Sequence, residues 1–326
     1  MAKDTNLLHH RKKVNVVSIL KSGAKARNLE GAKVRNSFPV SCFVPSRFLL
    51  PVFLCSFSLL LSAQSYNSWI GKSFDYIDAN RLDSAEFALK EAMRSEPANP
   101  VNALLLSNLG TLQRRNGNVA GAMVSYTAAL SRSPKNTTFL ANRASLFAEI
   151  GQPENALMDY SVLLEQNPAD EDALYQRGML YMQLKHYEAA QTDFERIVEL
   201  NPQTLDGRMG ITSLCKIRQE YDEAEKIYIY LMDRVKDNPE LYAGRAELYL
   251  LMGKPGKAIS DINQAITLQP DANPYIYVLR ARIKLRLFEK TAAAEDIKKA
   301  VSMGYDPEEG ARLLNEKTTN LFPEAF

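Results

Sequence analysis

The chain has 326 residues, of which 46% are hydrophobic and 24% are charged, a composition typical of a chain that folds. Residues 1–63 hold ten of the 40 Lys and Arg residues but only two of the 38 Asp and Glu residues, which leaves 30 basic and 36 acidic groups, a net charge of −6, for the rest. A body of that sign repels a phosphate backbone, so nucleic acid is excluded as the expected partner.

The first predicted element is an uncharged run of sixteen residues, 48–63, which follows Arg47 and ends in small residues at Ala63. A basic flank, an apolar core and a small-residue exit resemble a secretory signal peptide that is cleaved after Ala63. The run is short for a membrane span, which needs about 20 apolar residues, although an uncleaved membrane anchor at 48–63 is the alternative. We therefore expect residues 1–63 to be a basic leader and signal peptide, and the protein to be exported to the periplasm or secreted.

Beyond the leader, small and aromatic residues recur with a period of 34 residues, the length of one supersecondary unit. Alanine stands in one column at Ala122, Ala156, Ala190, Ala224 and Ala258. An aromatic residue follows four of these alanines by four positions, at Tyr126, Tyr160, Phe194 and Tyr228. A small residue stands twelve positions before the alanine at Gly110, Ala144, Gly178 and Ala246, and proline closes the units at Pro134, Pro168, Pro202 and Pro270. So many columns in step over five units indicate a true internal repeat.

These columns resemble the signature of the tetratricopeptide repeat, a hairpin of two helices. The resemblance implies an all-α fold, a right-handed superhelical solenoid of about seven hairpins within residues 64–307, with a C-terminal capping helix and tail at 308–326. The repeats are predicted at about 66–99, 103–136, 137–170, 171–204, 205–238, 239–272 and 274–307. The unit 205–238 departs most from the pattern, with Cys215 in an aromatic column and Lys236 in the proline column.

The residue pattern also supports hairpins without the family resemblance. In unit 137–170, apolar residues recur at helical spacing in two separate blocks. Between the blocks, Gly151 can end one helix and Pro153 can open the next. One hairpin cannot bury its apolar face alone, whereas stacked hairpins bury a continuous one.

Residues that could carry catalysis or bind a metal are sparse. Beyond the leader, His186 is the single histidine, in an expected interhelix turn, and no Cys/His cluster offers a zinc site. Cys215 lies in an inward-facing column and is predicted to be a buried, unreactive thiol. Asp159, Asp193 and Asp261 share one repeat column and are predicted to be solvated charges on the outer face. The sequence therefore predicts no enzyme, no cofactor and no metal site.

In tetratricopeptide repeat proteins, the first helices of the hairpins line a concave groove that binds the ligand. Here the groove positions are predicted to carry three amides, an apolar patch and a cation, at Asn108, Asn142 and Gln176, at Tyr175, Met179, Met182 and Met209, and at Arg282. Amides can bond an extended peptide backbone, and thioethers beside a tyrosine make an adaptable apolar surface. The alternatives are plain solvation of the amides and of the cation, and coverage of the patch by closure of the superhelix or by the leader.

Together these features predict a non-catalytic scaffold or adaptor of the bacterial cell envelope, which binds a peptide or protein segment in the groove without a cofactor. The alternative is a carbohydrate- or nutrient-binding envelope protein that uses the repeats as a frame. Such proteins carry long inserted loops with several tryptophans. In this sequence Trp69 is the single tryptophan, and the insertions between repeats are about three residues at most.

Overall fold

The described part of the chain confirms the predicted all-α class. The computed structural model describes residues 65–270 and 273–315, and these ranges contain fifteen α-helices and no strand. The helices are α1 (65–78), α2 (Leu82–Ser95), α3 (Asn102–Arg115), α4 (Val119–Arg132), α5 (Thr137–Glu149), α6 (Pro153–Gln166), α7 (Glu171–Gln183), α8 (Tyr187–Leu200), α9 (Leu205–Ile217), α10 (Tyr221–Arg234), α11 (Pro239–Leu251), α12 (Pro255–Leu268), α13 (Pro274–Arg286), α14 (Lys290–Ser302) and α15 (Pro307–Asn315). Within these ranges no helix is both long enough and apolar enough to cross a membrane. The predicted signal peptide lies outside the described residues.

The helices belong to two compact units, which are divided in the sequence between Pro168 and Ala169. The N-terminal unit contains three helix hairpins, α1/α2, α3/α4 and α5/α6. The C-terminal unit contains four hairpins, α7/α8, α9/α10, α11/α12 and α13/α14, and ends with α15. Within each unit every hairpin packs on the next one along the chain, so the prediction of stacked hairpins is confirmed for each unit.

Each hairpin turns through three residues, and the middle one has a left-handed backbone. Three hairpins place glycine there, with φ between 68° and 77°, at Gly117, Gly151 and Gly253. The other four hairpins place a larger residue there, with φ between 53° and 63°, at Asn80, Lys185, Gln219 and Phe288. Glycine adopts this conformation without the Cβ penalty that other residues bear. The turn therefore strains the backbone in four of the seven described hairpins.

Phe288 is the bulkiest of these turn residues, and its side chain is 83% exposed. Phe288→Gly is expected to raise the free energy of unfolding by about 1 kcal/mol, because glycine adopts the left-handed backbone conformation without the Cβ penalty. Removing the phenyl ring costs little in exchange, since the ring buries little surface. Gly151→Ala, at the same place in another hairpin, is expected to lower it by a similar amount. Urea denaturation followed by circular dichroism measures both changes, and a Phe288→Gly protein less stable than its parent would contradict the expectation.

A ring from a second helix fills the space between two successive first helices. The ring of Phe194 lies between Gly178 of α7 and Gly210 of α9. A Cβ atom on Gly178 would lie 2.6 Å from Phe194 Cε1, and one on Gly210 would lie 2.5 Å from Cδ1. We call these three residues the Phe194 notch. The remaining small and aromatic residues of the repeat columns are also buried, at Gly110, Ala122, Tyr126, Ala144, Ala156, Tyr160, Ala190, Ala224, Tyr228, Ala246 and Ala258.

The aspartates of the shared repeat column are buried in ion pairs, so the prediction that they are solvated outer charges is wrong. Their exposed fractions lie between 2% and 7%. Each accepts two hydrogen bonds of 2.6 to 2.9 Å from an arginine sixteen residues earlier, in the pairs Arg143–Asp159, Arg177–Asp193, Arg245–Asp261 and Arg280–Asp296. The arginine lies on the first helix of the same hairpin, and this two-bond geometry is the strong form of the interaction. The aspartates can lie in the interior of the hairpin because each carboxylate is paired there with an arginine.

The α9/α10 hairpin replaces both members of this ion pair by isoleucine. Ile211 stands in the arginine column and Ile227 in the aspartate column. Both side chains pack against the apolar cluster that includes Tyr228 and Leu231. A single replacement would leave one charge buried without a partner, whereas the joint replacement leaves an apolar contact in place of the pair.

The predicted C-terminal helix is present as α15 and covers the last hairpin. The Asp306 carboxylate accepts hydrogen bonds from the backbone N–H groups of Glu308 and Glu309, at 2.8 and 3.3 Å, and so caps the start of the helix. Leu313 is buried in the apolar cluster of the preceding hairpins. The helix thereby closes the apolar end of the C-terminal unit, as the last element of a repeat array must.

Candidate binding surface

The two amides predicted on the first helices of the N-terminal unit are buried or half-buried. Asn108 of α3 is 8% exposed, which departs from the expectation of an open amide. Asn142 of α5 is half-buried, and its Nδ2 donates a hydrogen bond of 3.1 Å to Ser107 Oγ of α3. This bond joins α3 to α5, next to Asn108 in the sequence, and stabilises the stacking of these two hairpins.

A charged pair lies toward the other end of the same two helices. Arg114 Nε of α3 is 2.6 Å from Glu149 Oε2 of α5, and Arg114 Nη2 donates to Ser145 Oγ at 3.1 Å. The Arg114 side chain is 26% exposed and that of Glu149 is 46% exposed. A pair in this much contact with solvent contributes little to stability, but it places two opposite charges on the first-helix face.

In the C-terminal unit, the predicted apolar residues lie on two adjacent first helices and are half-buried. They are Tyr175, Met179 and Met182 of α7 and Met209 of α9, which we call the methionine patch. The ring of Tyr175 lies 6.0 Å from the ring of Phe194, at an angle of 49°. The buried ring of Phe194 therefore packs against Tyr175, the aromatic residue of the patch. Gln176, the third predicted amide, is exposed beside it.

An ion pair links two successive first helices of the C-terminal unit. Lys216 Nζ of α9 is 2.6 Å from Glu247 Oε2 of α11. Burial opposes the charge of Lys216, but the Glu247 carboxylate outweighs it and raises the pKa of the ammonium group. The pKa of Glu247 is lowered despite its burial, by Lys216 and by the charge of Arg282. The predicted groove cation Arg282 is thus half-buried near a carboxylate of the protein.

Cys215 and His186 lie where the sequence predicts them. Cys215 is 7% exposed, and burial, with a further contribution from Glu220, raises the pKa of its thiol to about 11. The thiol is therefore protonated at neutral pH, and a protonated buried thiol is a poor nucleophile. His186 is an exposed turn residue at the start of α8. Among the described residues, no three His, Cys, Asp or Glu side chains converge as possible metal ligands.

The buried arginine–aspartate pairs can be found from the sequence, whereas the bonds that Arg114 and Lys216 make between hairpins are harder to find. Arg143 and Arg177 recur with the same 34-residue period as their aspartates, so a joint search of both columns finds the pairs. Arg114 and Lys216 each bond a residue 31 positions later, on the first helix of the next hairpin. That separation is three residues short of the repeat length, so a search of single columns misses it.

Comparison with known proteins agrees with the repeats seen in the structure. Three segments match models of the tetratricopeptide repeat, at residues 75–137, 171–204 and 239–272. The crystal structure of a tetratricopeptide repeat protein from Parabacteroides merdae ATCC 43184 is 49% identical in sequence. It covers 77% of this chain and 98% of its own, with a TM-score of 0.71. The comparison with curated proteins gave no match.

More distant solved structures share the fold alone. The pilF protein of Pseudomonas aeruginosa is 18% identical over 64% of this chain and 94% of its own, with a TM-score of 0.51. PilW, a type IV pilus biogenesis factor, is 17% identical over 66% of this chain and 100% of its own, with a TM-score of 0.55. The 49% identity along nearly the whole Parabacteroides merdae chain, together with the stacked hairpins, shows that this chain belongs to the tetratricopeptide repeat family.

Proposed function

We propose that this chain is a non-catalytic protein–protein interaction scaffold of the bacterial cell envelope, which holds a peptide or protein segment against the first helices of its C-terminal unit. Tetratricopeptide repeat proteins commonly bind proteins or peptides and are typically non-catalytic scaffolds. The methionine patch carries the proposal, because it leaves some thioether and aromatic surface in contact with solvent on two adjacent first helices. The uncharged run at 48–63 supports export to the envelope.

The polar groups around the methionine patch fit a bound peptide segment. An apolar side chain of the ligand would contact the thioethers, which adapt their shape to different partners. The exposed amide of Gln176 can both donate to and accept from the ligand backbone. Lys216 of α9 and Glu247 of α11 form an ion pair with side chains 18% and 34% exposed, which a polar ligand group can contact from the solvent side. None of these contacts requires a cofactor.

The carbohydrate-binding alternative gains no support from the turns. All seven described hairpins turn through three residues, which is too short to build a lateral binding loop. The proposal for the function therefore rests on the helix faces and not on the turns.

A double variant of the methionine patch tests this function. Tyr175→Asp with Met179→Asp is expected to reduce capture of native partners from envelope extract by about tenfold or more, because each carboxylate would be desolvated against an apolar ligand group. The measurement is affinity capture with the full chain, quantified by mass spectrometry, with circular dichroism to confirm unchanged helix content.

The matched control places the same two charges on the outer faces of second helices. Thr192→Asp with Ser260→Asp changes exposed residues of α8 and α12, and it is expected to capture the same partners as the parent. Equal capture by the parent and by the methionine-patch variant would remove the proposed role of the patch.

A further inference from the structure

One position of the first helices changes from neutral to charged along the chain. It directly follows the small residue that packs at the helix crossing. In α11 and α13, two helices that pack on each other, this position holds Glu247 and Arg282. In α3, α5, α7 and α9 it holds neutral residues, at Thr111, Ser145, Met179 and Ser213.

Glu247 and Arg282 form a cluster of charges with Lys216 of α9. The Lys216 ammonium lies 2.6 Å from a Glu247 carboxylate oxygen, and the two side chains are 18% and 34% exposed. Arg282 is half-buried. We call these three residues the Lys216 cluster. Each of its side chains keeps some contact with solvent, so a ligand can reach it.

The Lys216 cluster holds two cations and one carboxylate, a net charge of +1. Burial would raise the pKa of Glu247, but the charges of Lys216 and Arg282 act in the opposite sense and the pKa is lowered. Two further carboxylates of the same helices, Asp206 and Glu240, lie in the first turns of α9 and α11. They are separated from the cluster by about 10 Å or more along the helix axes. The surplus positive charge is therefore local to the cluster.

A buried hydroxyl group beside the Lys216 cluster lacks an acceptor. Tyr228 of α10 is fully buried, and among the described residues its hydroxyl has no hydrogen-bond partner. A Cβ atom on Gly244 of α11 would lie 2.4 Å from this oxygen. Burial raises the pKa of Tyr228, and the charges of Lys216 and Glu247 also act on it, in keeping with a hydroxyl close to the pair. A buried donor without a partner is costly, so this region is short of acceptors and not of donors.

We propose that the Lys216 cluster binds a side-chain carboxylate of the segment that the methionine patch holds. The inference rests on the proposed function and adds the chemistry of the partner, an Asp or Glu near an apolar residue. A ligand carboxylate beside Lys216 and Arg282 completes an arrangement of two cations and two anions. Arginine binds carboxylates through charge-assisted hydrogen bonds, whereas a ligand cation would meet the surplus positive charge.

The helix α9 sets the distance between the two parts of the ligand. It carries Met209 of the methionine patch and Lys216 of the cluster, seven residues apart. Seven residues make two helical turns and about 10 Å, so both side chains lie on one face. An extended segment covers this distance in about three to four residues.

The test is a selection from a library of random peptides with the purified full chain. The peptides are about twelve residues long, which exceeds the distance from the patch to the cluster. They are joined to their carrier through their C-termini, so that side chains supply the only carboxylates. Peptides bound by the parent are expected to be enriched about threefold or more in Asp and Glu, about three to four residues from an apolar residue.

Two variants of Arg282 and one control assign this acidic preference to the cluster. Arg282→Gln removes the surplus charge and is expected to abolish the enrichment in Asp and Glu, while apolar residues are still selected. Arg282→Glu makes the cluster negative and is expected to select Lys and Arg instead. The matched control Arg196→Glu reverses an exposed charge of α8 and is expected to select the same peptides as the parent. Circular dichroism checks that each variant keeps the helix content of the parent.

The outcomes separate this inference from the proposed function. Peptides selected by the parent without an excess of Asp and Glu would overturn the inference and leave the proposed function standing. An acidic excess that persists in Arg282→Gln would do the same. A parent chain that selects no peptide above background would contradict the proposed function, and the inference with it.

Discussion

Arg177→Ile is expected to lower the free energy of unfolding by about 3 kcal/mol, because it leaves the Asp193 carboxylate buried without its partner. In the parent protein, Arg177 Nε and Nη2 donate to this carboxylate at 2.8 and 2.6 Å, and the Asp193 side chain is only 3% exposed. Asp193→Ile is expected to cost less, about 2 kcal/mol, since Arg177 is 21% exposed and can turn its charge toward water.

The double variant Arg177→Ile, Asp193→Ile is expected to lie within about 1 kcal/mol of the parent, because a buried ion pair can be replaced by packed apolar residues at little cost. The α9/α10 hairpin already contains this combination, as Ile211 and Ile227. Urea denaturation of the four proteins, followed by circular dichroism, gives the coupling between the two positions. A double variant that loses the sum of both single losses would contradict the account of the pair.

An exposed ion pair on α8, the helix that carries Asp193, provides the control for this experiment. Arg196 Nη1 and Glu199 Oε2 of α8 are 2.9 Å apart, but their side chains are 46% and 66% exposed. Arg196→Ala is expected to change the free energy of unfolding by less than about 0.5 kcal/mol, since solvent already screens this pair.

Phe194→Ala is expected to destabilise the C-terminal unit by about 4 kcal/mol, because it empties the space between α7 and α9. Gly210→Ala should act on the same notch from the other side. Its Cβ would lie 2.5 Å from Phe194 Cδ1, and the ring must shift, at an expected cost of about 2 kcal/mol. Combining Gly210→Ala with Phe194→Leu should cost less than the sum of the two single changes, since the smaller side chain makes room for the methyl group.

The control for the notch is a glycine with free space around it. A Cβ atom on Gly256 of α12 would meet no neighbouring side chain within 4 Å. Gly256→Ala is therefore expected to leave stability unchanged or to raise it slightly, since alanine favours the helix. If Gly210→Ala were as harmless as Gly256→Ala in thermal and urea denaturation, the notch would not determine the spacing of the hairpins.

The hairpins can be predicted from the sequence because their packing residues recur at one fixed period. The alanine column that begins at Ala122 runs through five repeats and indicates the close approach of two helices. The aromatic column that begins at Tyr126 runs through four repeats and indicates the ring that fills the remaining gap. Such contacts depend on size and shape, which residue identity shows directly. The end of the array is predictable for the same reason, since Leu313 stands at helical spacing within a polar segment and packs on the last hairpin.

The polar interior cannot be predicted by treating each charged column separately. Taken alone, Asp193 is expected on the outer face because solvent is the usual environment of a carboxylate. The environment of that carboxylate depends on Arg177, sixteen residues earlier on the other helix of the hairpin. Only the pair, considered together, indicates burial. Asn108 is also buried, at 8% exposure, and its repeat position alone does not indicate this burial.

The candidate binding surface is predictable in part. Tyr175 and Met179 lie on a first helix with their side chains half-buried, as their spacing from the packing residues indicates. The ion pair of Lys216 and Glu247 is not predictable in this way, because it joins different positions of two adjacent repeats. Contacts of this kind depend on how one hairpin is placed on the next, which a repeat alignment does not contain.

Site-specific photo-crosslinking in living cells tests the central claim most directly. A benzophenone amino acid at position 179, within the methionine patch, is expected to join the full chain covalently to a protein partner, and the same probe at position 192, on the outer face of α8, is expected not to. Adducts at position 192 without adducts at position 179 would show that partners are held on another surface, and would contradict the proposed role of the first helices.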